Sequence, residues 1–430
     1  MRILLAAACL ALPFPAAAQA IPDEEHYAEE VQAAAEDPRV REALRALSGM
    51  AETSNADLVT ITEVPAPPFA EGPRAALVAD MLAETGFGDV TTDAVGNVIA
   101  RREGRTGERT VAVLAHLDTV FPEGTDVTVR REGDTFIAPG IGDNSRGVVV
   151  LLELARAFEA ADLRTDADIL LVANVGEEGL GDLKGVRHLF AEGAAPIHAL
   201  IAVDGGEAAR LVTDAVGSLR YEVRFEGPGG HSWSDFGAPS PHHAMGRAIQ
   251  LLDDAAAPIT RDGPKASYSV GVVSGGTSVN SIPFESVMQV DMRSGDPGKL
   301  AALDATFRAA MDRAVAIENE GATVPLTLTL TPIGDRPAGE GDRAAPLVQR
   351  AAAALRRIGV EPEASASSTD ANIPLALGLP AVTMSRGGIS EGAHSRQERW
   401  TDEDSQRATT AILLTLLAEA GFRAESSQGD

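Results

Sequence analysis

Thr110–Gly124 reads TVAVLAHLDTVFPEG and, after a polar run, Ala138–Gly147 reads APGIGDNSRG. Thr110–Ala115, rich in valine and leucine, has the composition of a strand buried on both faces. It stops at once in His116-Leu117-Asp118. Ligands of open α/β sheets gather beyond the strand ends, so an imidazole and a carboxylate placed there face a crevice. Alternation puts His116 and Asp118 on one side, where a carboxylate can fix the tautomer of a metal-bound imidazole. Asp143 follows a Gly-rich turn and directly precedes a helical pattern, Ser145–Glu159. A His-x-Asp pair alone is usually a polar loop, so the reading depends on other strand ends supplying more ligands.

They do. Val90–Ala100 is expected as the strand beside Thr110–Ala115. Asp168–Val175 is another apolar strand, ending in Gly176-Glu177-Glu178-Gly179, and His198–Val203 a further one, ending in Asp204-Gly205-Gly206. Alternation of these with helical patterns, Ser145–Glu159 and Leu183–Ala191, predicts a doubly wound α/β sheet with helices on both faces. Upstream, Glu24–Ala35 and Arg39–Leu47 form an N-terminal helical addition, and Glu71–Thr85 is an amphipathic helix closed by Gly86. The texture changes near Asp214. Strands over Leu219–Phe225, Ala266–Val273, Ser286–Arg293 and Val324–Thr331, with helices Pro241–Asp253 and Pro297–Asn319, give a βαββαβ order, an α+β unit of its own. Past Arg336 the α/β pattern returns, with Ala344–Ile358 helical, Ala381–Ser385 a strand, His394 in a loop and Asp402–Ala420 a final helix. The expected architecture is an α/β catalytic domain over 21-213 and 333-430, with an α+β lid, 214-332, inserted in it.

The 430 residues include 36 basic and 63 acidic side chains, a formal net charge of −27. Such a surface repels polyanions, which argues against a nucleic-acid partner. Residues 1–20 carry Arg2, the apolar run Ile3–Leu12 and Ala18-Gln19-Ala20, a small-residue cleavage signal. An export signal is therefore expected, with a periplasmic or secreted mature protein. That run is shorter than the ~20 residues that span a bilayer, and nothing downstream approaches such a length, so no membrane partner is expected. Cys9, the only cysteine, lies in the same segment. The mature chain would have no thiol, which excludes disulfides and leaves only imidazoles and carboxylates to hold a metal.

His116, Asp118, Asp143, Glu177, Glu178, Asp204 and His394 thus converge from separate segments on one rim. Singly each has a plain account: a solvated acidic pair, a turn-forming aspartate, a loop histidine. Together, nitrogen and oxygen donors without thiolate suit a pair of divalent metals. His242 and His243 open a helix, and His26, His188 and His198 carry no motif, so these are expected to be structural or exposed.

The motifs HLDTVFPEG, PGIGDNSRG, VGEEGLG, VDGG, GPGGHS, NSIP, VDMRS, SSTDAN and GAHS, in this order from about Leu58 to Gly421, resemble the M20 family of metallopeptidases. That group includes glutamate carboxypeptidase and peptidase T-like enzymes. The resemblance implies a catalytic domain with an inserted lid, a homodimer through that lid, and two Zn2+ per subunit (Co2+ or Mn2+ as alternatives). It places one metal on His116, Asp143 and Asp204, and the other on Asp143, Glu178 and His394, with Asp143 as the bridge. Asp118 is implied to orient His116, Glu177 to act as general base on the attacking water, and the Asp143–Asn144 peptide to be cis. His231 is implied to reach the partner subunit's site and hydrogen-bond the oxyanion, while Asn280 and Arg293 hold the substrate carboxylate. The implied reaction is removal of a terminal residue from a short peptide, or hydrolysis of an N-acyl amino acid by the same groups. A non-catalytic metal- or peptide-binding module is the alternative of another class, and the presence of Glu177 counts against it. Two departures, Asn144-Ser145-Arg146 after the bridging aspartate and Ser368 before Thr369-Asp370, flank the pocket and leave substrate identity open.

Overall fold

The computed structural model describes residues 19–21 and 24–423. The expected export segment, with Cys9, lies outside these residues apart from its last two, which form a short edge strand, β1 (Gln19–Ala20). Three helices follow: α1 (Glu25–Glu36), α2 (Pro38–Ser48) and α3 (Ala51–Thr62). Asp37 starts α2 by accepting the Arg39 N–H, with Pro38 in the first turn. These helices are part of the main core, because Val31, Val40, Leu47, Leu58 and Ile61 pack into the same cluster as the central helix of the sheet. Next, α4 (Gly72–Thr85) ends at Gly86, whose left-handed φ of 77° suits a residue without Cβ.

Where the sequence predicts one strand over Val90–Ala100, the chain makes a hairpin, β2 (Asp89–Thr92) and β3 (Val98–Arg102). Asp93 breaks it. Its Oδ1 accepts the N–H groups of Val95, Gly96 and Asn97, each at 3.0 Å, and this curls the chain between the two strands. β4 (Thr110–His116) follows, then two short strands, the exposed and charged β5 (Arg130–Glu132) and β6 (Thr135–Ile137), whose Phe136 and Ile137 are buried. The first half closes with α5 (Gly147–Ala160), β7 (Asp168–Asn174), α6 (Lys184–Leu189), β8 (Ala199–Val203) and β9 (Arg210–Ala215).

The inserted unit runs β10 (Gly217–Glu226), β11 (Gly230–His231), α7 (Pro241–Arg261), β12 (Ala266–Gly275), β13 (Ser281–Ile282), β14 (Glu285–Ser294), α8 (Pro297–Glu318) and β15 (Thr327–Arg336). Its four-stranded antiparallel sheet has the order β12-β14-β10-β15. Tyr221, Val223, Phe225, Met288, Val290 and Met292 turn one face of this sheet onto α7 and α8, giving it a core separate from the main one. Ser218 of β10 stands opposite Arg336 of β15, so the chain enters and leaves the lid side by side.

The main unit resumes with α9 (Pro346–Arg357), β16 (Glu363–Ser367), α10 (Asn372–Ala376), β17 (Ala381–Met384), β18 (Ile389–Glu391), β19 (Arg399–Thr401) and α11 (Gln406–Glu419). Among the described residues the central sheet has nine strands in the order β1-β16-β9-β17-β8-β4-β7-β3-β2, with β17, β8, β4 and β7 mutually parallel. β4 therefore lies between β7 and β8 rather than beside the hairpin. Both faces of β4 are covered. Val111, Val113 and Ala115 face the core built on α5, while Ala112 and Leu114 face the one built on α6 and α10. This is the doubly wound α/β arrangement that the buried apolar run predicts. The C-terminal ends of β4, β7, β8 and β17 then open toward the lid, where the chemistry collects.

Candidate metal centre

His116 is the last residue of β4 and is 1% exposed. Its Nδ1 lies 3.0 Å from the backbone oxygen of Asp118. A carbonyl can only accept, so Nδ1 carries the proton and the Nε2 lone pair points the other way. That Nε2 sits 3.4 Å from Asp143 Oδ1. A lone pair facing carboxylate oxygens calls for a cation between them, either a proton or a metal. His394 repeats the pattern with Nε2 3.2 Å from Asp143 Oδ2 and 3.0 Å from Glu178 Oε1. Those two acids push its pKa up to about 10.

Two ligand triads result. His116, Asp143 and Asp204 form one, and Asp143, Glu178 and His394 the other, each with donor atoms within 4.8 Å of one another. Asp143 belongs to both. A third grouping, His116 with Glu177 and Glu178, meets the same distance, but Glu177 is engaged elsewhere: Arg336 Nη1 donates to its Oε1 at 3.0 Å and Nη2 to its backbone oxygen. The donor set is therefore imidazole and carboxylate with one aspartate shared between the triads, a chemistry that suits divalent cations.

The charges lean on one another. Burial raises Asp143, yet the Arg386 guanidinium and hydrogen bonds from His116 and His394 hold it well below the ordinary carboxylate range. Burial and the neighbouring Asp143 push Asp204 up. Glu177 is raised well above an ordinary glutamate by burial, with Arg336 opposing and Glu178 adding to the rise. Asp370, held by Asn174 Nδ2 at 2.9 Å, is raised to about 6, chiefly by burial.

Several elements set this geometry. The Asp143–Asn144 peptide is cis. Asn144 Nδ2 donates to Val203 O at 2.8 Å, and its Oδ1 accepts the Gly147 N–H at 3.2 Å, which ties the loop to the end of β8 and to the start of α5. A Cβ at Gly147 would stand 2.1 Å from that Oδ1, so the position needs glycine. The carboxylate of Asp118 accepts the N–H groups of Glu177 at 3.0 Å and Glu178 at 2.7 Å. It is 3.7 Å from His116 Nδ1, so it grips the turn after β7 more closely than the imidazole it was expected to orient.

The triads open into a cavity of about 1340 Å³ between sheet and lid, lined by Asp143, Glu177, Glu178, Asp204 and His394 below and by Arg220, Asp291 and Arg293 above. Arg293 Nε donates to Asp291 Oδ2 at 2.7 Å, and Arg220 Nε donates to Asp291 Oδ1 at 2.9 Å. His231 and Asn280 do not line this cavity. His231 is exposed at the end of β11, its Nδ1 accepting the Trp233 N–H at 3.2 Å, and Asn280 Oδ1 accepts from Ser278 Oγ at 2.5 Å.

Residues 112–419 match the sequence pattern of Peptidase family M20/M25/M40. The chain belongs to that family. Carboxypeptidase G2 of Pseudomonas sp. (strain RS-16) is 25% identical over 338 residues, which span 76% of this chain and 77% of that one. Among solved structures, aminopeptidase PepT from Bacillus cereus ATCC 10987 superposes with a TM-score of 0.68 at 18% identity, covering 86% of this chain and 98% of the other. An amidase of the hydantoinase/carbamoylase family from Burkholderia vietnamiensis gives 0.63 at 19%, covering 87% and 98%. This M20 chain is thus a hydrolase of a metal-dependent family.

Three residues at the centre of this M20 site are not picked out by the reading of the sequence. Arg336 pairs with Glu177, Arg386 bonds Asp143 and Asp204, and Glu398 is fully buried beneath the metal loop. Glu398 Oε2 accepts the Gly140 N–H at 3.0 Å, and Oε1 accepts those of Gly142 and Asp143 at 3.0 and 2.7 Å. A charged residue in a loop looks the same in sequence whether it is solvated or buried. The one usable hint for Glu398 is its place four residues after His394.

Proposed function

We propose that this protein is an exported di-zinc exopeptidase that hydrolyses the terminal amide bond of short peptides at the carboxyl end. The observation that carries this is the pair of ligand triads sharing Asp143, with Glu177 beside them at the floor of a lid-covered cavity. When bound, two divalent ions supply Lewis acidity toward the scissile carbonyl and water acidic enough to react near neutral pH. Glu177 moves the proton. Arg336 occupies Oε1 and so leaves Oε2 to accept a proton from water and return it to the leaving nitrogen. Arg293 holds its guanidinium at the lid wall, braced by Asp291, where its free edge can fork onto a terminal carboxylate. The name of the carboxypeptidase relative supports that polarity of cleavage.

His231 acts in the site of a second subunit. Its Nδ1 is an acceptor for backbone N–H groups, which leaves Nε2–H as an outward donor suited to a developing oxyanion. Around it Trp233, Phe236 and Val279 are 85%, 88% and 104% exposed, and β12 is a sheet edge without a further strand among the described residues. A homodimer through this face would cover both. The export reading rests on the sequence of residues 1–20, and a secreted or periplasmic location follows from it.

The test is mass spectrometry of mixed short peptides and N-acyl amino acids incubated with the enzyme, with and without chelator. Chelator-sensitive loss of carboxyl-terminal residues is the expected result. Turnover of N-acyl amino acids alone would move the enzyme to the amidohydrolases, a reading favoured by its likeness to the hydantoinase/carbamoylase fold. Trimming from the amino end would refute the polarity assigned to Arg293.

A further inference from the structure

The guanidinium of Arg386 sits inside the metal centre. Its Nη1 lies 3.0 Å from Asp143 Oδ1, 2.9 Å from Asp204 Oδ1 and 3.5 Å from Asn144 Oδ1. The side chain is 3% exposed, and its Nε has no hydrogen-bond partner among the described residues. The residue follows the end of β17, and its backbone N–H donates to Gly205 O at 3.0 Å, which anchors it directly behind Asp204. It is therefore fixed in place by the same strand ends that carry the ligands.

Two carboxylates brought together in a buried site repel unless a positive charge lies between them. In the first triad that charge can come from an ion held by His116, Asp143 and Asp204. It can also come from Arg386, which already touches both aspartates. The ion and the guanidinium answer the same excess of negative charge, and like-charged groups at one site weaken each other's binding. Glu177, Glu178, Asp118 and Asp370 add further negative charge nearby, and Arg336 is drawn to Glu177 rather than to the aspartates.

We infer that Arg386 is a resident stand-in for the first metal: a positioning residue that keeps Asp143 and Asp204 side by side in the metal-free chain and holds metal affinity below what the donor set alone would give. This rests on the metal-centre reading above. The sign of its effect is what distinguishes it. Neighbours that merely orient ligands lose about 10–100-fold in metal affinity when removed. Loss of Arg386 does the reverse. The metal-free protein is left with two buried, unscreened carboxylates, and the ion that relieves them binds more tightly.

The experiment uses the full chain stripped with chelator, as wild type, Arg386→Met, Arg386→Lys and His116→Ala. Each is titrated with Co2+ and with Zn2+ against a chromophoric competitor and melted with and without metal. For Arg386→Met the expected result is a lower metal-free Tm, metal bound ~tenfold or more tightly at one site, and a larger metal-induced rise in Tm than wild type. Arg386→Lys, which keeps the charge, should stay near wild type. Equal or weaker metal binding by Arg386→Met overturns the inference. Refolding of Arg386→Met only in the presence of metal supports it. If that variant does not fold at all, Arg386→Gln gives the same reading: tighter binding supports the inference and equal or weaker binding overturns it. Cobalt binding unchanged by His116→Ala would instead overturn the metal-centre reading, and the premise of this inference with it.

Discussion

Glu177 is held between opposing influences. Burial and the adjacent Glu178 raise its proton affinity, and the Arg336 guanidinium, bonded to one carboxylate oxygen and to the backbone, lowers it. The net effect is a carboxyl that holds its proton more firmly than an ordinary glutamate. Glu177→Gln keeps the shape and the bond to Arg336 but removes the carboxylate that the proposed function uses as base. The expected outcome is a fall in kcat of about 10²–10⁴ with metal content unchanged, measured by steady-state kinetics beside elemental analysis. Retained activity would reassign the base. Glu177 and Glu178 are neighbours in sequence, yet the fold divides them: one faces Arg336, the other His394.

At the scale of elements, the loop Gly140–Asp143 hangs from one carboxylate. Glu398 reaches it from the segment leading into β19 and fixes three backbone N–H groups. Glu398→Gln turns an amide N–H toward one of these donors, so the loop that aims Asp143 loosens. Metal affinity should fall about 10–100-fold, opposite in sign to the effect at Arg386, and a competitive metal titration reads it. A second element-scale prediction concerns Asp168, which opens β7 and accepts the Gly104 N–H at 2.8 Å and the Arg101 guanidinium at 2.7 Å. Burial raises its pKa, but the Gly104 N–H and Arg101 outweigh this, so the folded-state value lies below the ordinary one. Its stabilisation is therefore complete above the unfolded pKa of ~3.9 and is lost as pH falls through the folded value. Asp168→Asn should cost about 1–2 kcal/mol at pH 7, discounted because Arg101 is half exposed, and the gap to wild type should narrow as the pH falls through the folded-state value in denaturant titrations.

The same scale shows what the sequence could carry. β4, β7 and β8 announce themselves because strands buried on both faces must be apolar, and the ligands follow because they stand where those runs stop. β5, β6, β9 and β16 do not, being short or mixed in composition, with pairing decided by partners far along the chain. Asp93 hides a hairpin inside what looks like one strand. Arg336, Arg386 and Glu398 were out of reach for a related reason: their burial is a property of the assembled strand ends, not of their neighbours in sequence.

At the scale of the molecule, the lid decides whether one subunit suffices. If His231 serves the opposite subunit, Glu177→Gln and His231→Ala homodimers are each inactive by design. Mixed subunits should regain activity, because a hybrid joins one intact Glu177 site to one intact His231. Assay after co-refolding, with sedimentation to confirm the dimer, measures it, and absence of complementation would confine His231 to its own chain. Chelation should also lower Tm, since ions bound only by the folded state stabilise it by mass action.

The pairing of Ser218 with Arg336 has a consequence for how the polypeptide acquires its shape. Residues 210–215 and 363–367 must meet as parallel neighbours, β9 and β16, although the whole lid lies between them in the chain. Closing so long a loop is entropically unfavourable and slows folding. Once β10 and β15 have zipped together along their length, however, the lid's two ends are already adjacent. What then separates the two halves of the central sheet is the segment 337–362, which contains α9, rather than that segment and the whole lid together. Assembly of the lid before the central sheet is the faster order of events, and hydrogen exchange pulsed during refolding should protect β10 and β14 before β9 and β16.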